Sequence, residues 1–121
     1  IGPEREFWVV NPGRQRMEAY DAAGVPLRAW GEASMQIDGF CGCCNPTDLA
    51  IRADGTFVTS EKGIARIKLY GPDGTFRAVV AGPDQVADGT EVLDLAVNSK
   101  GEVVVLDPAA GAVRFFAETQ P

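Results

Sequence analysis

The chain has 121 residues, 45% of them hydrophobic and 23% charged, with 11 basic and 17 acidic side chains and a net charge of −6. That length allows one ordinary domain at most, and no apolar run approaches the roughly 18 residues of a membrane-spanning helix. The basic residues (Arg14, Arg28, Arg52, Lys62, Arg77, Lys100) stand singly rather than in a phosphate-neutralising stripe, so nucleic acid and an anionic membrane surface are not expected partners.

The first residues carry no Met and no basic-then-apolar leader. The chain is therefore expected to be a processed, tagged or excised piece, with export to a periplasm after leader removal left open. Strands are then expected at Glu6–Val10, over the segment ending at Tyr20, and over VPLRAW up to Trp30. The connection Gly31–Thr47 follows and exceeds the usual loop length, which is typical of functional or flexible loops. After it, DLAIRA alternates as a strand, Asp54-Gly55 makes a hairpin turn, and TFVTS returns. The loop EKGIA leads to RIKLY, and GPDG turns into TFRAVVAG. A third series begins at LDLAV, passes through Val103–Leu106 and the loop DPAAG, and reaches Ala112–Phe116. No stretch shows helical periodicity.

These elements repeat. Glu6–Gly24 aligns with Thr56–Gly74 without a gap, placing Phe7 on Phe57, Gly13 on Gly63, Arg16 on Arg66 and Tyr20 on Tyr70. Thr47–Phe57 aligns with Leu93–Val103, placing Asp48 on Asp94 and Gly55 on Gly101, and the same offset carries Ile67 onto Val113. Four antiparallel strands per unit at this period predict an all-β fold of β-propeller blades. The expected division is 1–46 as a partial blade with the long loop, 47–90 as a complete blade, and 91–121 as a partial blade. About three blades cannot close a ring. The expectation is that other blades complete one, as a homo-oligomer or within a longer chain of roughly 280 residues. Trp8, Val9, Phe57, Val58, Val103–Leu106, Ile67, Leu69, Tyr70, Phe115 and Phe116 are the expected blade-to-blade core. Asp48 and Asp94, repeated at one point of the first strand, are expected to build blades by hydrogen bonding a neighbouring turn. The turns Asp54-Gly55 and Asp73-Gly74 are expected to be exposed.

The pattern P-x-D-L-A-I-x-x-D-G-x-F-V-T-S followed by R-I-K-L-Y-x-P-D-G, Pro46–Ser60 and Arg66–Gly74, resembles the NHL repeat over nearly the whole chain. The cysteine stretch with TSEKGIARIKLY resembles a bacterial subgroup of NHL-repeat proteins of undefined role. The resemblance implies a propeller of usually six blades, with binding or catalytic sites on the channel face. The connections after the fourth and second strands of each blade open there. It would bring Cys41, Cys43, Cys44, Asn45, Glu61, Lys62, Glu91 and Asp107 to that face, with Trp30 and Phe40 flanking the cysteine loop as candidate pocket walls. RNA-binding relatives use basic faces, which this acidic chain lacks.

Three cysteines in GFCGCC, with no histidine in the chain, are the most distinctive chemical feature. Clustered thiolates suit zinc, Cu(I) or an iron–sulfur cluster. Adjacent cysteines do not easily both face one ion, however, and a fourth ligand would have to come from Glu61, Asp107 or another chain. A Cys41–Cys43 or Cys41–Cys44 disulfide would be strained and readily reduced. The same thiols also suit plain packing with no cofactor. Glu61, Glu91 and Asp107 suit Ca²⁺ or acid–base work, and equally an ion pair with a neighbour such as Lys62. The leading functional expectation is a non-enzymatic binding or scaffold module for a protein or small ligand. The alternatives are a thiol-based metal or redox protein, and a propeller lyase or lactonase completed by other blades.

Overall fold

The computed structural model describes residues 1–117. Ten strands form three antiparallel sheets: β1 (Phe7–Asn11), β2 (Arg16–Tyr20) and β3 (Pro26–Trp30); β4 (Asp48–Ile51), β5 (Phe57–Glu61), β6 (Arg66–Tyr70) and β7 (Phe76–Ala81); and β8 (Asp94–Val97), β9 (Val103–Asp107) and β10 (Ala112–Phe116). Each sheet is a meander in chain order. The only helical element among the described residues is the 3-10 turn Pro83–Gln85, so none there is long and apolar enough to cross a membrane.

Chain order follows from the turns. Asp54 accepts the Thr56 amide at 2.9 Å, and Asp73 accepts the Thr75 amide at 3.0 Å. Each closes a tight Asp-Gly reversal with a left-handed glycine. Asp54 and Asp73 are exposed as expected, but Gly55 is buried. It lies under the Pro72 ring, which would stand 3.2 Å from any added Cβ. Gly74 is tighter still: a Cβ there would fall 2.6 Å from the Trp30 indole, at a φ of +85°.

The three sheets face one another through two cores. Strand β5 runs between them and is buried at every position. Because successive side chains point to opposite faces, Phe57 packs with Trp8, Met17, Ala19, Phe40 and Tyr70 against the first sheet. Val58, its neighbour, joins Ile67, Ala81, Leu93, Val103 and Val105 against the third. Edge strand β4 approaches edge strand β8 and, less closely, edge strand β1. There Asp48 of β4 accepts the Leu95 amide of β8 at 2.8 Å. The partner of this repeated aspartate is thus a strand of the next sheet rather than a turn.

Part of the expected core lies outside. Val9 is 44% exposed, Leu106 43% and Phe115 61%. The reason is positional. Phe7 and Phe57 occupy the same place in their units, yet Phe7 is 46% exposed and Phe57 only 2%. Ile67 is fully buried, whereas its equivalent Val113 is 57% exposed. The middle sheet has a neighbour on each face, and each outer sheet has one bare face.

Candidate functional site

The connection Gly31–Thr47 is tied down by hydrogen bonds from several sides. Phe40 donates its amide to Glu32 O and accepts from Ser34 N, making a parallel bridge with Ala33. The Gln15 side chain donates through Nε2 to Phe40 O at 2.9 Å and Gly42 O at 2.8 Å. The Asn45 side chain donates to Cys41 O and Lys62 O and accepts the Lys62 amide. Asn45 is therefore a clamp joining the cysteine loop to the β5–β6 loop.

The strongest anchor is Lys68 of β6, which composition alone did not single out. Its ammonium is fully buried and places its donors on Ile37 O (2.8 Å), Gly39 O (2.7 Å) and Glu61 Oε2 (3.2 Å). It also lies 4.8 Å from the Phe40 ring centroid and 5.5 Å from that of Tyr70, a geometry for cation–π attraction. Burial pushes its pKa down and the Glu61 carboxylate opposes that shift. Arg66 completes the group with two bonds to Glu61, at 2.7 and 3.2 Å, and this pairing raises its pKa. Burial raises the Tyr70 phenol, whose hydroxyl reaches Asp38 O.

The alignment exposes a signal that single residues hide. In every unit, the last residue of β1, β5 or β9 bonds the middle residue of the strand that follows it, β2, β6 or β10. These pairs are Asn11 with Glu18, Glu61 with Lys68, and Asp107 with Arg114. Glu61 and Asp107 are thus components of a repeated cross-strand link, with the polarity reversed in the first unit. Asp107 is buried and also holds the chain leading into β8, accepting from Thr90 Oγ1 at 2.6 Å and Ala87 N at 2.8 Å. These bonds, with Arg114, lower its pKa from 3.8 to about 2. Its stabilising contribution is whole above pH ~4 and is lost as pH falls towards 2. Thermal melts between pH 7 and pH 2.5 should show a shallower acid decline for Asp107→Asn than for the parent; parallel curves would contradict this.

A cleft of about 720 Å³ opens where the cysteine loop, the β5–β6 loop and the loop before β8 meet. Cys41, Cys43, Asn45, Glu61, Lys62 and Glu91 all line it, and Ile64, Arg66 and Thr90 join them. Four expected members do not: Cys44 is exposed outside the cleft, and the other three lie elsewhere. Phe40 is fully buried in the core, Trp30 lines a separate hollow with Gly74 and Phe76, and Asp107 turns into its own hydrogen bonds. The packing demand of large aromatic rings outweighs their place in the chain. Glu61 is saturated by Arg66 and Lys68, so Lys62, Thr90 and Glu91 supply the cleft's polar character.

The three thiols have two kinds of partner. Cys41 faces the Met35 sulfur at 3.3 Å, while the Cys43 and Cys44 sulfurs stand 2.7 Å apart. All three are free, and the adjacent two are exposed. Cys43 and Cys44 turn towards each other. Cys44 achieves this with a left-handed φ of 76°. Among the described residues no three His, Cys, Asp or Glu side chains are grouped to hold a metal ion, and the thiols as arranged do not make one ligand set. The neighbouring Cys44 sulfur pushes the Cys43 thiol up, with Lys62 opposing.

No protein-family model matches this chain, and no curated protein shows significant similarity to it.

Proposed function

We propose that these sheets are blades of an NHL-type propeller, and that the ring works as a binding or scaffold module. The cleft of units two and three is then its site for a peptide segment or small ligand. The cleft is the observation that carries the reading. Its size suits a ligand site, and its walls are held by the Asn45 clamp and the Lys68 anchor before any ligand arrives. Pre-ordered walls lower the entropy lost on binding. The rim carries Lys62 and Glu91 beside the apolar Ile64, a combination that suits a short segment bearing both charges. The blade reading is supported by the repeated cross-strand link and by equivalent positions that are buried in the middle sheet but bare on the outer ones.

The bare faces, with Phe7 and Val9 on one side and Leu106, Val113 and Phe115 on the other, are the surfaces a further blade of the same build would cover. Amide shift mapping with a panel of short peptides bearing one acidic and one basic side chain tests the site, on material whose mass is set by light scattering. The expected result is association beyond the monomer, with perturbations confined to Lys62–Arg66 and Gly89–Glu91. Perturbations elsewhere, or none at millimolar peptide, would overturn the site. A monodisperse, cooperatively melting 12.8 kDa monomer would overturn the ring.

A further inference from the structure

We propose that Cys43 and Cys44 form a vicinal dithiol that low-molecular-weight disulfides oxidise reversibly to a ring disulfide at the cleft rim, with Cys41 taking no part. This goes beyond ligand binding and does not depend on it. Three observations carry it. The two sulfurs are 2.7 Å apart and exposed to solvent. The backbone on both sides is pinned, by Gln15 on Gly42 O and by Asn45 on Cys41 O and Lys62 O. Such over-determination sustains an otherwise sparse left-handed cysteine. The third observation is that Cys41 is occupied elsewhere, its sulfur directed to Met35.

The step balances as thiol–disulfide exchange. The Cys44 thiolate, exposed to solvent, attacks one sulfur of RSSR, forming a protein–SSR bond and expelling RS⁻. The Cys43 thiolate then attacks the Cys44 sulfur, closing the ring and expelling the second RS⁻. The protein loses two electrons, RSSR gains them, and the two thiol protons pass to the leaving thiolates. Adjacent Cα atoms are about 3.8 Å apart, below the usual disulfide range of about 4.4–6.8 Å. The ring is therefore strained and easily reopened, as suits a reversible site rather than a staple.

The test equilibrates the intact, fully reduced chain in graded mixtures of reduced and oxidised glutathione, followed by acid quench, alkylation and mass spectrometry. Cys43 and Cys44 should lose alkylation together in a species lighter by two hydrogens, with Cys41 still alkylated. Cys41→Ser should leave the titration midpoint unchanged. Cys43→Ser and Cys44→Ser should abolish the ring species and leave at most a glutathione adduct on the remaining thiol. A Cys41–Cys43 or Cys41–Cys44 linkage would overturn the proposal. So would three independent adducts, or protection of the thiols by bound zinc or copper without oxidation. Far-UV circular dichroism on each variant separates loss of the site from loss of the fold, and Cys41→Ser keeps the proposal falsifiable if the other two misfold.

Discussion

Lys68→Met should destabilise the chain by about 3–5 kcal/mol, the range for removing one partner of a buried ion pair. Methionine fills much of the same space and keeps contact with Phe40 and Tyr70, so the loss is chiefly polar. Two carbonyls, Ile37 O and Gly39 O, lose their buried donor, and Glu61 keeps only Arg66 as a cationic partner. A carbonyl left unsatisfied out of water is costly, and both belong to the loop carrying the thiols. The effect should thus have a local signature besides the global one. Urea unfolding should show a lower midpoint, and amide exchange should accelerate through residues 31–45. An unchanged midpoint would mean the ammonium is not the anchor its geometry indicates. Against the about 5–15 kcal/mol typical of a domain, the variant would be marginal at best.

Phe57→Ala should be as damaging, at about 3–5 kcal/mol, through the cavity left in a core that cannot collapse around it. The ring meets Trp8 edge-on at a centroid distance of 4.7 Å and Trp30 at 5.0 Å. Truncation therefore removes two aromatic pairings as well as buried area. Its equivalent in the first unit is the internal control. Phe7 holds the same position in the repeat but is 46% exposed in the single chain, so Phe7→Ala should change the stability of the unassociated chain by about 0.5 kcal/mol or less, and cost more only where a further blade covers this face. Denaturation followed by tryptophan fluorescence gives both numbers. Equal losses at the two sites would show that the outer face of the first sheet is covered in solution, which the variant would then report directly.

The same contrast explains how much of this protein is legible in its sequence. Strand identity and order followed from local signals, and Arg66–Tyr70 and Ala112–Phe116 fall where expected to the residue. Alternation and Asp-Gly turns act within a few residues, so a string of letters carries them. The repeat was legible for the same reason, whereas the gathering of Asn45, Glu61, Lys62 and Glu91 on one face was implied only by the resemblance to NHL repeats. The fates of Val9, Leu106 and Phe115 were not legible. Alternation tells which face a side chain takes but not whether another sheet lies over that face. Lys68 was missed because a lysine in a strand normally marks solvent, and its burial depends on carbonyls from a loop some thirty residues earlier. Sequence by itself determined the strands, their meander, the repeat and the place of the three thiols on the long connection. Only the tertiary structure decided that Phe40 is core, that Glu61 is saturated, and that Cys43 pairs with Cys44 while Cys41 turns to Met35. Those outcomes depend on partners distant in sequence and on a backbone angle that the surrounding hydrogen bonds impose.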